Sequence, residues 1–188
     1  VVLSFNSARY IGKCVRSLAE AGGATGGIEI LVVENGSRDD SPTILRGLER
    51  ELGDTLRCFY LPQNTGTTVS RNLALRQARG EYVVIIDSDA VANQAVLRGL
   101  IAALEEERDC GLVVPGLTYP DGRFQLSTDV FPTVTRKLQR LVALRSLEGS
   151  TSLADARRGE VDYAISAFWL FRRSLLDDVG LLDERIFY

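Results

Sequence analysis

What most constrains this chain is a rhythm in its first 114 residues: short runs rich in Val and Ile, each followed by a longer amphipathic stretch. Residues 1–5, 28–33 (Ile-Glu-Ile-Leu-Val-Val), 56–61 and 82–86 (Tyr-Val-Val-Ile-Ile) read as strands, with a further one at 112–114. Between them, 8–21 carries Ile11, Val15 and Leu18 at helical spacing. Asp39 or Ser41 can cap a helix to about residue 52, with Pro42 tolerated in its first turn. Residues 66–79 and 93–107 read as two more helices, the first stopped by Gly80 in a left-handed turn. Strands that are apolar on both faces need cover on both sides, which a parallel sheet with crossover helices supplies. The expected class is therefore α/β, a doubly wound, mostly parallel sheet that binds ligands outside the carboxyl ends of its strands.

The rest of the chain has another texture. Residues 117–119 and 123–126 flank Pro120-Asp121-Gly122, which predicts a hairpin. Residues 130–147 interleave leucines with Arg136, Lys137, Arg140 and Arg145, 149–159 is polar, 161–171 is an apolar, aromatic strand and 174–179 a short helix. We therefore expect an α/β half at 1–114 and a smaller mixed half at 115–188.

Composition removes whole classes of chemistry. The chain has no His, so imidazole bases, Ser-His-Asp triads and His-ligated zinc are excluded within it. Its three cysteines, Cys14, Cys58 and Cys110, are scattered, which suits reduced thiols and a cytoplasmic address better than a disulfide framework. Any metal must then have oxygen ligands. A net charge of -3 argues against a nucleic-acid partner. No apolar run approaches the roughly 18 residues of a membrane span. There is no Met, and a strand opens the sequence, so we expect a piece of a longer chain.

Four segments carry candidate chemistry, all at the ends of predicted parallel strands. Asp87-Ser88-Asp89 follows the most apolar strand. On extended backbone its two carboxylates would share a face, and their repulsion would be relieved by a divalent cation bridging to a diphosphate. A polar loop capping the next helix is the equal alternative. Glu34, in Val33-Glu34-Asn35-Gly36, can accept hydrogen bonds from a ribose or a base N–H, or can be a solvated strand end. Ser4-Phe5-Asn6 closes the first strand. Asn64-Thr65-Gly66 opens a helix bearing Arg71-Asn72, where backbone N–H groups and Arg71 could meet phosphate. Arg71 could equally be a surface charge.

Taken together the pattern resembles the family-2 glycosyltransferases of GT-A fold. The residues that carry it are Val1-Val-Leu-Ser-Phe-Asn-Ser7, Val32-Val-Glu-Asn-Gly-Ser-Arg-Asp-Asp-Ser41, Asn64-Thr-Gly66, Ser70-Arg-Asn-Leu-Ala-Leu75 and Ala78-Arg-Gly-Glu-Tyr-Val-Val-Ile-Ile-Asp-Ser-Asp89. Leu117-Thr-Tyr-Pro-Asp-Gly-Arg-Phe-Gln125 and the stretch from Phe171 to Tyr188 extend it and are most similar to a rhamnosyltransferase-type branch.

The resemblance implies inverting transfer from a UDP-, dTDP- or GDP-linked sugar to the hydroxyl of a carbohydrate, lipid-linked or protein acceptor, in polysaccharide or glycoconjugate synthesis. It implies that Ser4 and Asn6 line the nucleotide pocket and that Glu34 stands where the family's base-reading acid, most often Asp, stands. Arg71 would lie near base or diphosphate. Asp89 would bind Mg2+ or Mn2+ directly, and Asp87 would contact ribose or reach the metal through water. The family's base follows the Asp183-Glu184-Arg185-Ile186-Phe187-Tyr188 stretch, so no catalytic base is assigned. The basic 130–147 stretch could lie against anionic lipid at the inner face of the membrane, or be a solvated helix or flap. Two rivals stand beside this reading. A nucleotidyltransferase would need a Gly-rich phosphate loop after the first strand, which is missing. A non-catalytic domain binding a nucleotide or a partner protein is the other.

Overall fold

A computed structural model describes residues 1–23, 27–129 and 159–187. The chain divides into two compact units, Val1–Val113 with Ala167–Tyr188, and Val114–Ser166.

In the first unit the predicted rhythm becomes β1 (Val2–Ser4), α1 (Ile11–Gly22), β2 (Ile30–Glu34), α2 (Ser41–Leu52), β3 (Leu56–Tyr60), α3 (Thr67–Leu75), β4 (Tyr82–Asp87), α4 (Gln94–Glu106) and β5 (Leu112–Val113). The second unit contributes β6 (Leu117–Thr118), β7 (Phe124–Gln125), β8 (Thr128–Asp129) and β9 (Tyr163–Ala164). The chain then returns to the first unit as β10 (Phe168–Arg172) and α5 (Leu175–Val179). The main sheet has the order β3-β2-β1-β4-β10-β5. Its β3, β2, β1 and β4 are mutually parallel, and β10 lies antiparallel between β4 and β5.

Strand β2 is buried along its whole length, and Val2, Val32, Val33 and Ile86 have no exposed surface, as a sheet covered on both faces requires. Each such side chain contributes roughly 1.5–3 kcal/mol of transfer free energy. Trp169 is partly buried and packs against the core cluster of Leu75, Val83, Ile85 and Phe171. Helix α4 starts where its cap predicts, Asn93 Oδ1 accepting the Val96 N–H at 2.9 Å.

The helix end and the long strand change, and the hairpin holds. The helix read over 66–79 ends at Leu75, because Glu29 draws the following backbone away by accepting the N–H groups of Arg79 and Gly80. Gly80 is consequently outside the left-handed region. The strand read over 161–171 is two strands in different sheets, β9 paired with β8 and β10 with β4 and β5. The hairpin at 117–126 forms as β6–β7, turned by Gly122 at φ +86. The basic stretch at 130–147, and the polar stretch at 149–159 up to residue 158, lie outside the described residues. No helix among the described residues is long and apolar enough to cross a membrane.

Candidate functional site

The order β2-β1-β4 puts a topological switch beside β1, whose crossover runs to β2 on one side while β4 flanks it on the other. Loops leave such a point in opposite directions and open a crevice at the strand carboxyl ends. Ser4, Glu34 and Asp87 sit there in register: Ser4 pairs with Glu34, and Leu3 with Asp87.

Hydrogen bonds stitch together the loops after β1 and β2. Asn6 takes the left-handed conformation (φ +48) that its short polar side chain tolerates. Its Oδ1 accepts the Arg38 N–H and its own N–H donates to Ser37 Oγ, both at 2.9 Å. The Ser7 N–H donates to Ser41 Oγ and the Ala8 N–H to Asp39 Oδ2. Ser4 is fully buried, its hydroxyl 2.8 Å from Ser7 Oγ. The side chains of Ser4 and Asn6 thus help to hold the loops.

Glu34 is 3% exposed. Its Oε1 accepts the Ser37 N–H at 2.8 Å, which leaves Oε2 as its open acceptor among the described residues. Between buried Ser4 and Ser7, Phe5 is 43% exposed. Sequence reasoning gave Phe5 no role; the signal was an aromatic at the very end of a strand that otherwise heads into a polar turn.

Arg71 is buried, which excludes the surface-charge alternative, and it donates from its guanidinium to Asp87 Oδ1 at 2.6 Å. Burial pushes the Asp87 carboxyl above the usual range, Arg71 works against this, and nearby Asp89 adds to it. Burial also lowers Arg71, but a guanidinium starts so high that it stays charged. The Asp87 backbone is fixed on both sides: its N–H donates to Ala167 O and its carbonyl accepts from Ala90 N–H, each at 3.0 Å. Strand β4 ends at Asp87 and residues 88–89 turn, so the strand-alternation argument for a shared face does not apply. Asp89 is exposed, and its carboxylate receives no hydrogen bond among the described residues. Cys14, whose thiol burial pushes up to about 12, is inert beside this turn.

The donor set bears on a metal. Among the described residues no three His, Cys, Asp or Glu side chains cluster as a cation cage. Asp89 is open and Asp87 has one oxygen engaged with Arg71. Such a pair fits a hard cation shared with an anionic ligand and water, and does not fit a closed structural metal.

Two buried asparagines complete the frame. The Asn35 amide donates to Asn64 Oδ1 (2.9 Å) and Gly66 O (3.3 Å) and accepts from Thr65 N–H (2.9 Å), so β2 holds the turn that starts α3. A Cβ at Gly36 would lie 2.5 Å from Gln63 Cα, and its φ of +73 is likewise a glycine value. At the other end of α3, Asn72 accepts the Leu182 N–H (3.0 Å) and donates to Leu182 O (2.8 Å). Sequence reasoning saw Asn35 as a turn former and Asn72 as a neighbour of Arg71. The missed signal is that Asn is a poor residue in mid-helix unless its amide is used.

The sequence profile of the family described as Glycosyl transferase family 2 matches residues 1–180. The chain belongs to this family. Poly(ribitol-phosphate) beta-N-acetylglucosaminyltransferase TarS of Staphylococcus aureus is 29% identical over 148 residues, 76% of this chain and 25% of TarS. The S. aureus TarS structure in complex with UDP aligns over 100% of this chain and 50% of its own, at TM-score 0.63 and 24% identity. The mannosyltransferase PcManGT from Pyrobaculum calidifontis, in complex with GDP-Man and Mn2+, aligns over 98% and 47%, at TM-score 0.67 and 21% identity. These likenesses share the GT-A fold, and the chain spans between a quarter and a half of each of these relatives.

Proposed function

We propose that this family-2 chain binds a nucleotide-activated sugar at the carboxyl edge of its main sheet, as the donor side of an inverting, metal-assisted glycosyltransferase. The observation that carries the reading is the charge arrangement at the end of β4: Asp87 is held by buried Arg71, while Asp89 is left open beside it. In this reading Glu34 Oε2 accepts from the ribose or the base, and the exposed face of Phe5 offers a stacking surface. Ser4, Asn6 and Asn35 act through the loops they hold. Asp89, with Asp87, would hold Mg2+ or Mn2+, which when bound supplies charge neutralisation for the departing diphosphate. Arg71 favours the ionised form of Asp87 against its burial and orients it, a preorganised pair that needs no rearrangement when ligand arrives.

Support for the donor class comes from the UDP and GDP-Man bound in the two solved relatives. These differ in base, so UDP, dTDP and GDP are all candidates. The name of TarS, a poly(ribitol-phosphate) beta-N-acetylglucosaminyltransferase, supports a hydroxyl on a carbohydrate-type polymer as the acceptor, ahead of lipid-linked and protein acceptors.

Calorimetry with UDP, dTDP and GDP, with and without Mn2+, tests the reading on the full-length wild type and on Asp89→Ala. One nucleotide should bind with Mn2+ and lose at least about tenfold in affinity with EDTA or Asp89→Ala, a difference of ~1.4 kcal/mol. Failure of all three nucleotides overturns the donor assignment. Equal affinity without metal overturns the role of Asp89 alone.

A further inference from the structure

Segment 182–187, Leu-Asp-Glu-Arg-Ile-Phe, runs along α3 as a strap tied at both ends. At one end Leu182 is held twice by Asn72, its N–H donating to Oδ1 and its carbonyl accepting from Nδ2. This fixes both the position and the rotation of that peptide, as a rung of a β-ladder would. Asn72 Nδ2 also donates to Glu184 Oε1 at 3.0 Å, and the same oxygen accepts from the Arg76 guanidinium at 2.6 Å. At the other end, Thr67 N–H donates to Phe187 O at 2.7 Å and Thr68 Oγ1 donates to Ile186 O. Gly66 makes that end possible, because a Cβ there would lie 2.6 Å from Phe187 O. The strap thus finishes against the very turn that Asn35 holds.

Helix α3 is therefore a shared bracket. Arg71 reaches Asp87, and the next residue, Asn72, reaches the strap. Asn72 is fully buried and touches neither Asp87 nor Asp89 by hydrogen bond, so its influence on chemistry has to pass through what it holds. We propose that Asn72 is a positioning residue for transfer. It sets the place of segment 182–187 relative to the Arg71–Asp87 pair, so that its loss slows turnover without weakening donor binding. The proposal rests on the donor reading above.

The amide's partners dictate a specific signature. Asn72→Ala removes three hydrogen bonds. Asn72→Asp keeps the acceptor for Leu182 N–H but sets a carboxylate against Glu184 and against Leu182 O, so it should be the worse variant. Glu184→Gln gives that carboxylate a donor, so it should rescue Asn72→Asp in part and Asn72→Ala not at all.

The experiment uses the full-length protein with Mn2+ and the nucleotide, UDP or GDP, that the wild type binds. It measures nucleotide Kd, turnover of UDP-GlcNAc or GDP-mannose accordingly, and amide exchange at 182–187 for the wild type, Asn72→Ala, Asn72→Asp, Glu184→Gln and the two double variants. Expected are a nucleotide Kd within about threefold of wild type throughout, turnover down about tenfold or more in Asn72→Ala and further in Asn72→Asp, and faster exchange confined to the strap and its contacts on α3. Recovery of at least about threefold is expected in the Asn72→Asp/Glu184→Gln pair alone. The proposal falls if Kd and turnover decline together, if strap exchange is unchanged, or if no rescue occurs. Should the wild type bind nucleotide without turning either donor over, the proposal falls if Asn72→Ala leaves strap exchange unchanged or weakens nucleotide Kd by more than about threefold, and stands on faster strap exchange with Kd kept. A wild type that binds none of UDP, dTDP and GDP brings down the donor reading first, and this proposal with it.

Discussion

The two ends of the main sheet solve opposite problems. At the amino ends of β1, β2 and β4 lies a cavity of about 450 Å³ whose walls include Val1, Leu18, Ile30, Val83, Ile86 and Leu170. Two of its carboxylates are already engaged: Glu29 by Arg79 and Gly80, and Glu105 by the Tyr82 hydroxyl. At the carboxyl ends, Ser4, Ser7, Glu34, Asn35, Ser41, Ser70, Arg71 and Asn72 are all buried, and their bonds hold loops in place beside Asp89, an exposed carboxylate that receives no hydrogen bond among the described residues. Open volume alone does not mark a binding site. Polar groups aimed at a common point do, and burying them is costly unless each is held by a partner. The amino end is sealed chemistry around a hole, and the carboxyl end is a rigid frame around an open charge.

The largest effect that would sharpen this contrast is expected from Asp89→Ala. Metal-dependent turnover of the nucleotide sugar in the full-length protein should fall by about 100-fold or more, with little change in the urea midpoint, because an exposed, unbonded side chain contributes little to folding. A large loss of stability with turnover intact would break it.

Arg71→Ala comes next and should hurt both. It strands the Asp87 carboxylate, and removing one partner of a fully buried pair costs about 3–5 kcal/mol. Asp87 keeps 42% of its side-chain surface exposed, so we expect about 1–3 kcal/mol in urea denaturation, together with weaker nucleotide binding. Asn35→Ala should cost about 1–2 kcal/mol through the unpaired groups of the 64–66 turn, measured by the same titration.

The smallest effect belongs to the amino end. Glu29 is raised by burial, but hydrogen bonds from the Arg79 and Gly80 N–H groups and the Arg79 side chain outweigh this and hold it below its ordinary value of 4.5. A depressed carboxyl contributes stability above the unfolded value and loses it as pH falls through the folded one. Glu29→Gln should therefore lower stability by at most about 1 kcal/mol at pH 7, and the gap to wild type should close as pH falls below 4.5 and through the depressed folded value. Nucleotide affinity should not move; a shift there would mean that the two ends are not separate.

Much of this arrangement was legible in the sequence. The parallel β3-β2-β1-β4 core follows from runs such as Tyr82-Val83-Val84-Ile85-Ile86, and the switch-point rule then brings Glu34, Arg71 and Asp87 to one edge. What stayed hidden was decided by partners distant in sequence. Glu29 shortens α3 from 50 residues away, and Asn72 is spoken for by Leu182 from 110. Antiparallel β10 enters beside β4 because the whole second unit intervenes before it, and no local period encodes that return. The turn at Asp89 likewise overrode strand alternation, which applies only while the backbone stays extended.

The central claim is that ligand charge meets the protein at the carboxyl end of β4 and nowhere near the amino end, some 15–20 Å away along strands rising about 3.3 Å per residue. Paramagnetic broadening by Mn2+ in the presence of the bound nucleotide reads this directly. Amide signals of residues 87–90, and next those of 5–8 and 34–37, should vanish first, while those of 29–30 and 80–82 persist. Broadening centred on the amino end, or spread evenly over the surface, would contradict the account.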